Sequence, residues 1–238
     1  MSERFFVPAM SQEILTDTVL FTDPRCPFKG IIHAGDPRLT IIVGDNASGK
    51  SLLFRALAER CRDNSVLPVT VSIRERTGSG LSDISGMRRA LMFGDETESS
   101  TGATSAHVVK VGFRSAKKEG GAALLMLDEP ELGLSESYAG ALGDYIGQVV
   151  RGPFGDDVMH ETCGGVVVVT HSRPLIQGIL SGLRTSPTFI NMGGSQDLSD
   201  WLAKPKIYTA HDLEKLGAAA TAGRRLVNEI LKERRARP

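Results

Sequence analysis

Residues 44–51, GDNASGKS, constrain the fold of this chain more than any other part of its sequence. They fit the pattern G-x-x-x-x-G-K-S/T, in which a glycine-rich loop joins a buried strand to a helix. Residues 39–43 before this glycine loop form a short run typical of a buried strand, and residues 52–57 after it carry apolar side chains at helical spacing. The sequence therefore predicts a strand, a loop and a helix in that order.

A loop of this kind binds phosphate, because backbone N–H groups converge on an anion where the helix dipole also favours negative charge. Lys50 is expected to reach the terminal phosphates of a nucleoside triphosphate and to act in catalysis, and the Ser51 hydroxyl is expected to coordinate Mg²⁺. The alternative is a glycine-rich turn that fits the pattern by chance. The residues predicted to bind the nucleotide are Gly44, Asp45, Asn46, Ala47, Ser48, Gly49, Lys50, Ser51 and Leu52.

Two further apolar runs end in polar side chains. Residues 122–127 precede the adjacent carboxylates Asp128 and Glu129, and residues 164–169 precede a segment that contains His171. Parallel strands buried on both faces are continuously apolar, and ligands gather at their carboxyl ends. Asp128 is expected to hold Mg²⁺, Glu129 to orient the attacking water as a general base, and His171 to sense the terminal phosphate. The alternatives are two exposed acids before a turn and a histidine with a structural role.

Together the three segments resemble the ABC-type P-loop ATPases. Glu131, which follows the triplet Asp128-Glu129-Pro130, makes the chain more similar to the soluble RecF- and SMC-like branch than to transporter subunits. The resemblance extends over about residues 40 to 175. It implies an α/β fold with a mainly parallel central sheet flanked by helices, in a single domain of residues 1–238, with ATP and Mg²⁺ as cofactors.

The resemblance also implies a homodimer that binds two ATP molecules between its subunits. Each site would be closed by a serine- and glycine-containing signature from the opposite subunit. Ser100, Thr101 and Gly102 are the nearest match, within a reduced variable arm and signature helix assigned to residues 74–118. The match departs from the usual form, which has a leucine, a serine and paired glycines. An ordinary N-cap of a helix is the alternative.

Residues 5–43 carry short apolar segments that are broken by prolines and a glycine. This pattern predicts an antiparallel β subdomain that leads into the strand before the glycine loop. The resemblance implies that such a sheet covers the adenine. Phe21 and Phe28 are the candidates to stack on the base, and packing in the core is the alternative role for both.

The composition fits one large α/β unit, because 238 residues with 41% hydrophobic content can bury a sizeable core. The charge is balanced at 28 basic and 28 acidic residues, so no global field draws the protein to nucleic acid or to a membrane surface. Three widely spaced cysteines argue against a disulfide framework and favour a cytoplasmic location. No segment has the ~18 to 20 apolar residues of a membrane span, and no signal-type stretch follows Met1, so we expect no membrane insertion.

These observations favour a soluble Mg²⁺-dependent ATPase whose ATP-driven homodimerisation regulates a protein or nucleic-acid partner, in a process such as DNA repair or antiviral defence. One alternative is the nucleotide-binding subunit of a membrane transporter. Against it, no glutamine falls between Gln12 and Gln148, where transporter subunits place a glutamine that contacts Mg²⁺. A small-molecule kinase is a second alternative, and a nucleotide-sensing module with little turnover is a third.

Overall fold

The computed structural model describes residues 4–72 and 101–236. Within these residues, six strands form one sheet in the order β1-β6-β2-β5-β4-β3. β1 pairs antiparallel with β6, and all other neighbouring strands are parallel. The strands are β1 (Gly30–His33), β2 (Asp36–Gly44), β3 (Leu67–Ser72), β4 (Ala123–Asp128), β5 (Cys163–Val169) and β6 (Pro187–Met192).

Helices cover both faces of the sheet, and each face has its own apolar cluster. In β4, Leu125 and Leu127 pack against the helices of one face, whereas Leu124 and Met126 pack against those of the other. α4 to α7 lie on the first face and α1 to α3 with α8 on the second. The helices are α1 (Val7–Asp17), α2 (Val19–Thr22), α3 (Lys50–Asp63), α4 (Thr101–Ser115), α5 (Glu136–Arg151), α6 (Arg173–Leu183), α7 (Leu198–Ala203) and α8 (Ala210–Ala236).

The fold confirms the predicted α/β class with a mainly parallel central sheet flanked by helices. The three runs predicted as buried strands are β2, β4 and β5, and they are neighbours in the centre of the sheet. Burial on both faces explains why these segments are continuously apolar rather than alternating. Among the described helices, none is both long enough and apolar enough to cross a bilayer.

The prediction of an antiparallel β subdomain over residues 5–43 is wrong. The first half of this segment is helical, as α1 and α2, and β1 pairs with β6 rather than with a neighbour in this segment. Val7, Met10 and Ile14 are buried at helical spacing on one side of α1. Pro8 lies in the first turn of α1, where its missing N–H group leaves no helical hydrogen bond unmade, so it starts a helix instead of interrupting a strand.

α8 borders the apolar cluster of the second face and is held there by its C-terminal half. The buried side chain of Ile230 joins the apolar cluster there, together with the partly buried Leu226 and Val227. Arg25 donates two hydrogen bonds to Glu233, at 3.0 and 2.9 Å. These contacts fix the helix against the segment that precedes β1.

Candidate nucleotide-binding site

The carboxyl ends of β2, β5 and β4 lie side by side at one edge of the sheet. Ile42 of β2 and Asp128 of β4 are both in register with Val169 of β5, so the three segments that follow them start at the same level. A cleft of about 650 Å³ opens at this edge. It is lined by residues 46–52, which comprise most of the glycine loop and Leu52 after it, and by Asp128, Glu129 and His171.

The glycine loop is a tight turn with left-handed backbone at Ala47 (φ 63°) and at Gly49 (φ 98°). A Cβ atom at Gly49 would lie 2.9 Å from the side chain of Phe28, so glycine is required there on two grounds. α3 begins directly after it, at Lys50. The predicted order of strand, loop and helix is therefore confirmed, and the N-terminus of α3 opens into the cleft.

Lys50 is 7% exposed, and its ammonium group lies inside the turn. The Nζ atom donates hydrogen bonds to the carbonyl oxygens of Gly44 (2.9 Å) and Asp45 (3.0 Å). These two residues thus hold the lysine, and they do not line the main cleft as the other predicted loop residues do. Burial lowers the pKa of Lys50 to about 8, although Glu129 acts in the opposite direction.

Glu129 and His171 face each other across the cleft, with 3.4 Å between Glu129 Oε1 and His171 Nε2. Glu129 has a left-handed backbone (φ 49°), which is costly for a residue with a side chain, and its N–H donates to the Val169 carbonyl at 2.8 Å. Burial, and then the charge of Lys50, lower the pKa of His171, so the imidazole is neutral at pH 7. A neutral imidazole can both donate and accept a hydrogen bond.

A second contact between the same two segments was missed from the sequence. The Thr170 hydroxyl donates a short hydrogen bond to Glu131 and accepts one from the N–H of Ser172 (2.9 Å). Burial raises the pKa of the Glu131 carboxyl group. The segments after β4 and β5 are thereby tied together next to Glu129 and His171. The Asp-Glu-Pro-Glu sequence draws attention to Glu131, but it does not indicate that Thr170 is its hydrogen-bond partner.

Ser51 and Asp128 line the same cleft and suit Mg²⁺ chemically, because a hydroxyl and a carboxylate are hard oxygen ligands. Within the described ranges, no group of three or more His, Cys, Asp or Glu side chains is arranged to hold a metal ion. Mg²⁺ usually takes several of its ligands from water and substrate phosphates rather than from protein side chains.

The C-terminal helix also borders the cleft, which the sequence did not predict. Ala220, Gly223, Arg224, Val227 and Asn228 of α8 line it, at the spacing of one helical face. The amphipathic pattern of α8 predicts a helix with one apolar face that packs against the rest of the protein. It does not say against which part of the molecule, because that depends on tertiary contacts.

Two sets of predicted residues have different outcomes. Ser100 lies outside the described residues; Thr101 and Gly102 begin α4, and their side chains also lie outside the described part of the chain, so the signature stays a prediction. Phe21 is buried in the core, whereas Phe28, also largely buried, borders the cleft beside Gly49.

No protein-family model, curated protein or solved structure matches this chain. Its chemistry therefore has to follow from the cleft itself. The cleft combines a buried ammonium group and a helix N-terminus, which favour an anion, with a carboxylate and a neutral imidazole 3.4 Å apart, which can bind and polarise a water molecule.

Proposed function

We propose that this protein is a P-loop ATPase of the ABC type that binds ATP with Mg²⁺ and hydrolyses it to ADP and phosphate. One observation carries the proposal: the glycine loop with its buried lysine shares a single cleft with Asp128, Glu129 and His171. An isolated glycine-rich turn gives no reason for a carboxylate pair and a histidine to meet there. Their convergence supports hydrolysis as well as binding.

Each residue then has a distinct task. Lys50 neutralises charge on the phosphates, and the N–H groups at the start of α3 bind their oxygens. Ser51 and Asp128 would hold Mg²⁺, which would supply further neutralisation of the phosphate charge. Glu129 orients the attacking water and accepts its proton, while the neutral His171 hydrogen-bonds to the terminal phosphate or to the water.

Substitution of the general base tests this proposal. Glu129→Gln keeps the shape of the side chain but removes its basicity, so ATP binding is retained and turnover falls at least about a hundredfold. Lys50→Ala is the matched binding variant and is expected to lose affinity for ATP. Phosphate release and equilibrium binding, measured on the same preparations, separate the two effects. A wild-type protein that binds ATP but releases no phosphate in a single turnover would contradict hydrolysis and leave a nucleotide-sensing module.

We further infer that ATP joins two copies of the chain, and that the dimer acts on a protein or nucleic-acid partner. Support comes from the segment after Glu129, which exposes two large apolar side chains. Leu132 lies just before α5, and Tyr138 lies in its first turn. Ser105 of α4 donates a hydrogen bond to the Leu132 carbonyl at 2.8 Å, so the helix of the predicted signature is joined to this segment. Nucleotide binding next to Glu129 can therefore be transmitted to a surface that a second copy could cover.

A further inference from the structure

α8 lines the cleft with two adjacent faces of different character. One face contributes Arg224 and Asn228, together with Ala220, Gly223 and Val227, to the part that contains Lys50 and His171. The other face contributes only small and apolar residues to an adjoining recess of about 450 Å³, where they lie opposite Phe28. These apolar residues are Ala219, Ala222, Gly223 and Leu226. Both faces thus carry small and apolar residues, and the polar groups of the helix, Arg224 and Asn228, lie on the face toward the main cleft.

Among the described side chains of α8, Arg224 is the cation that lines the cleft. Its Nε atom donates to the Ala220 carbonyl of its own helix at a long 3.4 Å. Within residues 4–72 and 101–236, no carboxylate oxygen lies within 4.0 Å of its guanidinium group. The next residue behaves differently: Arg225 points outward, is 82% exposed and pairs with Glu229 at 2.9 Å.

We propose that Arg224 binds the phosphates of the nucleotide, so that α8 supplies one wall of the ATP site from within the same chain. A guanidinium group suits this role, because its planar fork matches two phosphate oxygens and it keeps its charge at any working pH. The buried Ile230 and the Arg25–Glu233 pair hold the turns of the helix that follow Arg224. The inference rests on the proposed function, since it names a further ligand of the same nucleotide.

The apolar face of α8 supports the same arrangement of the nucleotide. The recess opposite Phe28 shares residues 46–48 of the glycine loop with the main cleft, so the two spaces adjoin at the loop. A nucleotide whose phosphates lie between Lys50 and Arg224 would place its base next to a wall of alanine, glycine and leucine. Such a wall favours a flat aromatic ring by apolar contact, while Arg25, Asp45 and Asn46 line the same recess with polar groups.

The test compares Arg224→Gln with Arg225→Gln in the full chain. Binding of a non-hydrolysable ATP analogue with Mg²⁺ is measured by calorimetry. A charge-assisted hydrogen bond lost from a phosphate lowers affinity by about tenfold or more, so Arg224→Gln is expected to bind at least about tenfold more weakly than wild type. Arg225→Gln is expected to stay within about twofold of wild type, and Arg224→Lys, which keeps charge but not the fork, to fall between the two glutamine variants.

Lys50→Ala makes the outcomes distinguishable. If wild type binds, Lys50→Ala does not, and the two arginine variants are equal, Arg224 is not a phosphate ligand while the proposed function stands. If wild type itself does not bind the analogue, the proposed function fails and this inference fails with it. Hydrogen exchange of residues 210–236 separates a lost ligand from a lost helix: we expect equal protection in both variants, and faster exchange in Arg224→Gln alone would assign the effect to helix docking and overturn the inference.

Discussion

Lys50 holds a positive charge in a nearly closed environment, and a bound triphosphate would favour that charge. The lysine is buried, and its pKa is lowered to about 8, so at pH 8 about half of the molecules have lost this proton. Bound phosphates would return the pKa above the working pH. We therefore expect ATP affinity to be highest below pH 8 and to fall as the pH rises through this value.

The first prediction is that ATP binding at pH 8 takes up about half a proton at Lys50. Calorimetry in two buffers of different ionisation enthalpy measures this uptake directly, because the buffer supplies the proton. Lys50→Arg is the control, since a guanidinium group stays charged and its binding is expected to show no uptake at this residue. Equal binding enthalpies in both buffers for the wild type would contradict the assignment.

Glu131 gives a second prediction, on stability. Burial raises its pKa in the folded state above the ordinary value of 4.5, so the stability that its protonated form provides is complete below pH 4.5 and is lost as the pH rises through the folded pKa. Glu131→Gln removes this dependence while its amide oxygen can still accept from Thr170. The variant is expected to become more stable relative to wild type as the pH rises from 4 to 8.

Thermal unfolding across this pH range checks the prediction, because each 1 kcal/mol corresponds to a change in Tm of about 2–4 °C in a domain of this size. Melting curves of the two proteins that remain parallel at every pH would show that Glu131 has the same pKa in the folded and unfolded chains. The hydrogen bond from Thr170 would then carry no pH-dependent stability.

The residues at the carboxyl ends of β4 and β5 could be predicted from the sequence, and those that α8 contributes to the opposite wall of the cleft could not. Glu129 and His171 follow continuous apolar runs, and the carboxyl ends of neighbouring parallel strands meet by geometry alone. The hydrogen bond between Thr170 and Glu131 depends on side-chain rotamers. Arg224 reaches the cleft only because α8 packs back over the glycine loop, and no local pattern specifies that packing.

At the level of elements, glycines determine how α5 and α6 approach each other. A Cβ atom at Gly143 would overlap the Leu175 carbonyl, and one at Gly178 would overlap the Gly140 carbonyl. The two helices therefore pack backbone against backbone, as small residues allow. Since α6 begins just after His171, with Ser172 as its N-cap, this packing also positions the histidine.

The third prediction follows from this close packing. Gly143→Ala and Gly178→Ala are expected to destabilise the fold by about 1–3 kcal/mol or more, because overlap with backbone atoms outweighs the ~1 kcal/mol by which alanine favours a helix. Gly217→Ala in α8 is the matched control: a Cβ there meets nothing within 4 Å, so only the helical preference acts and stability is expected to rise. Chemical denaturation measures all three, and equal effects at the three sites would contradict close packing.

The strands and helices differ in how well they could be predicted from the sequence. β2, β4 and β5 were predicted because a continuous apolar run has few alternatives beside a glycine loop and two carboxylates. The sequence analysis predicts strand structure over α1 because Pro8 is interpreted as a break between short apolar segments. Helical spacing of Val7, Met10 and Ile14 was the signal that distinguishes the two, together with the tolerance for proline in a first helical turn.

At the scale of the whole molecule, the exposed apolar side chains beside the cleft carry the proposal of a dimer. Leu132 is 49% exposed and Tyr138 is 68% exposed, on the segment that follows the proposed general base. Val158 is similarly exposed, at 50%, but it lies before β5 and therefore at the opposite edge of the sheet. The chain thus offers an apolar position of matched exposure away from the nucleotide.

The fourth prediction uses this contrast. Glu129→Gln with ATP and Mg²⁺ is expected to sediment at twice the 25.5 kDa of one chain, because the slow variant keeps its nucleotide and the closed dimer accumulates. Adding Leu132→Glu and Tyr138→Glu is expected to leave a monomer that still binds ATP, more weakly by the coupling to dimerisation that it has lost, since two buried charges at an interface cost far more than the apolar contacts they replace. Val158→Glu in the same background is expected to leave the dimer intact. A monomer in every sample with ATP would remove the dimer, and a dimer lost equally with Val158→Glu would place its interface elsewhere than beside the cleft.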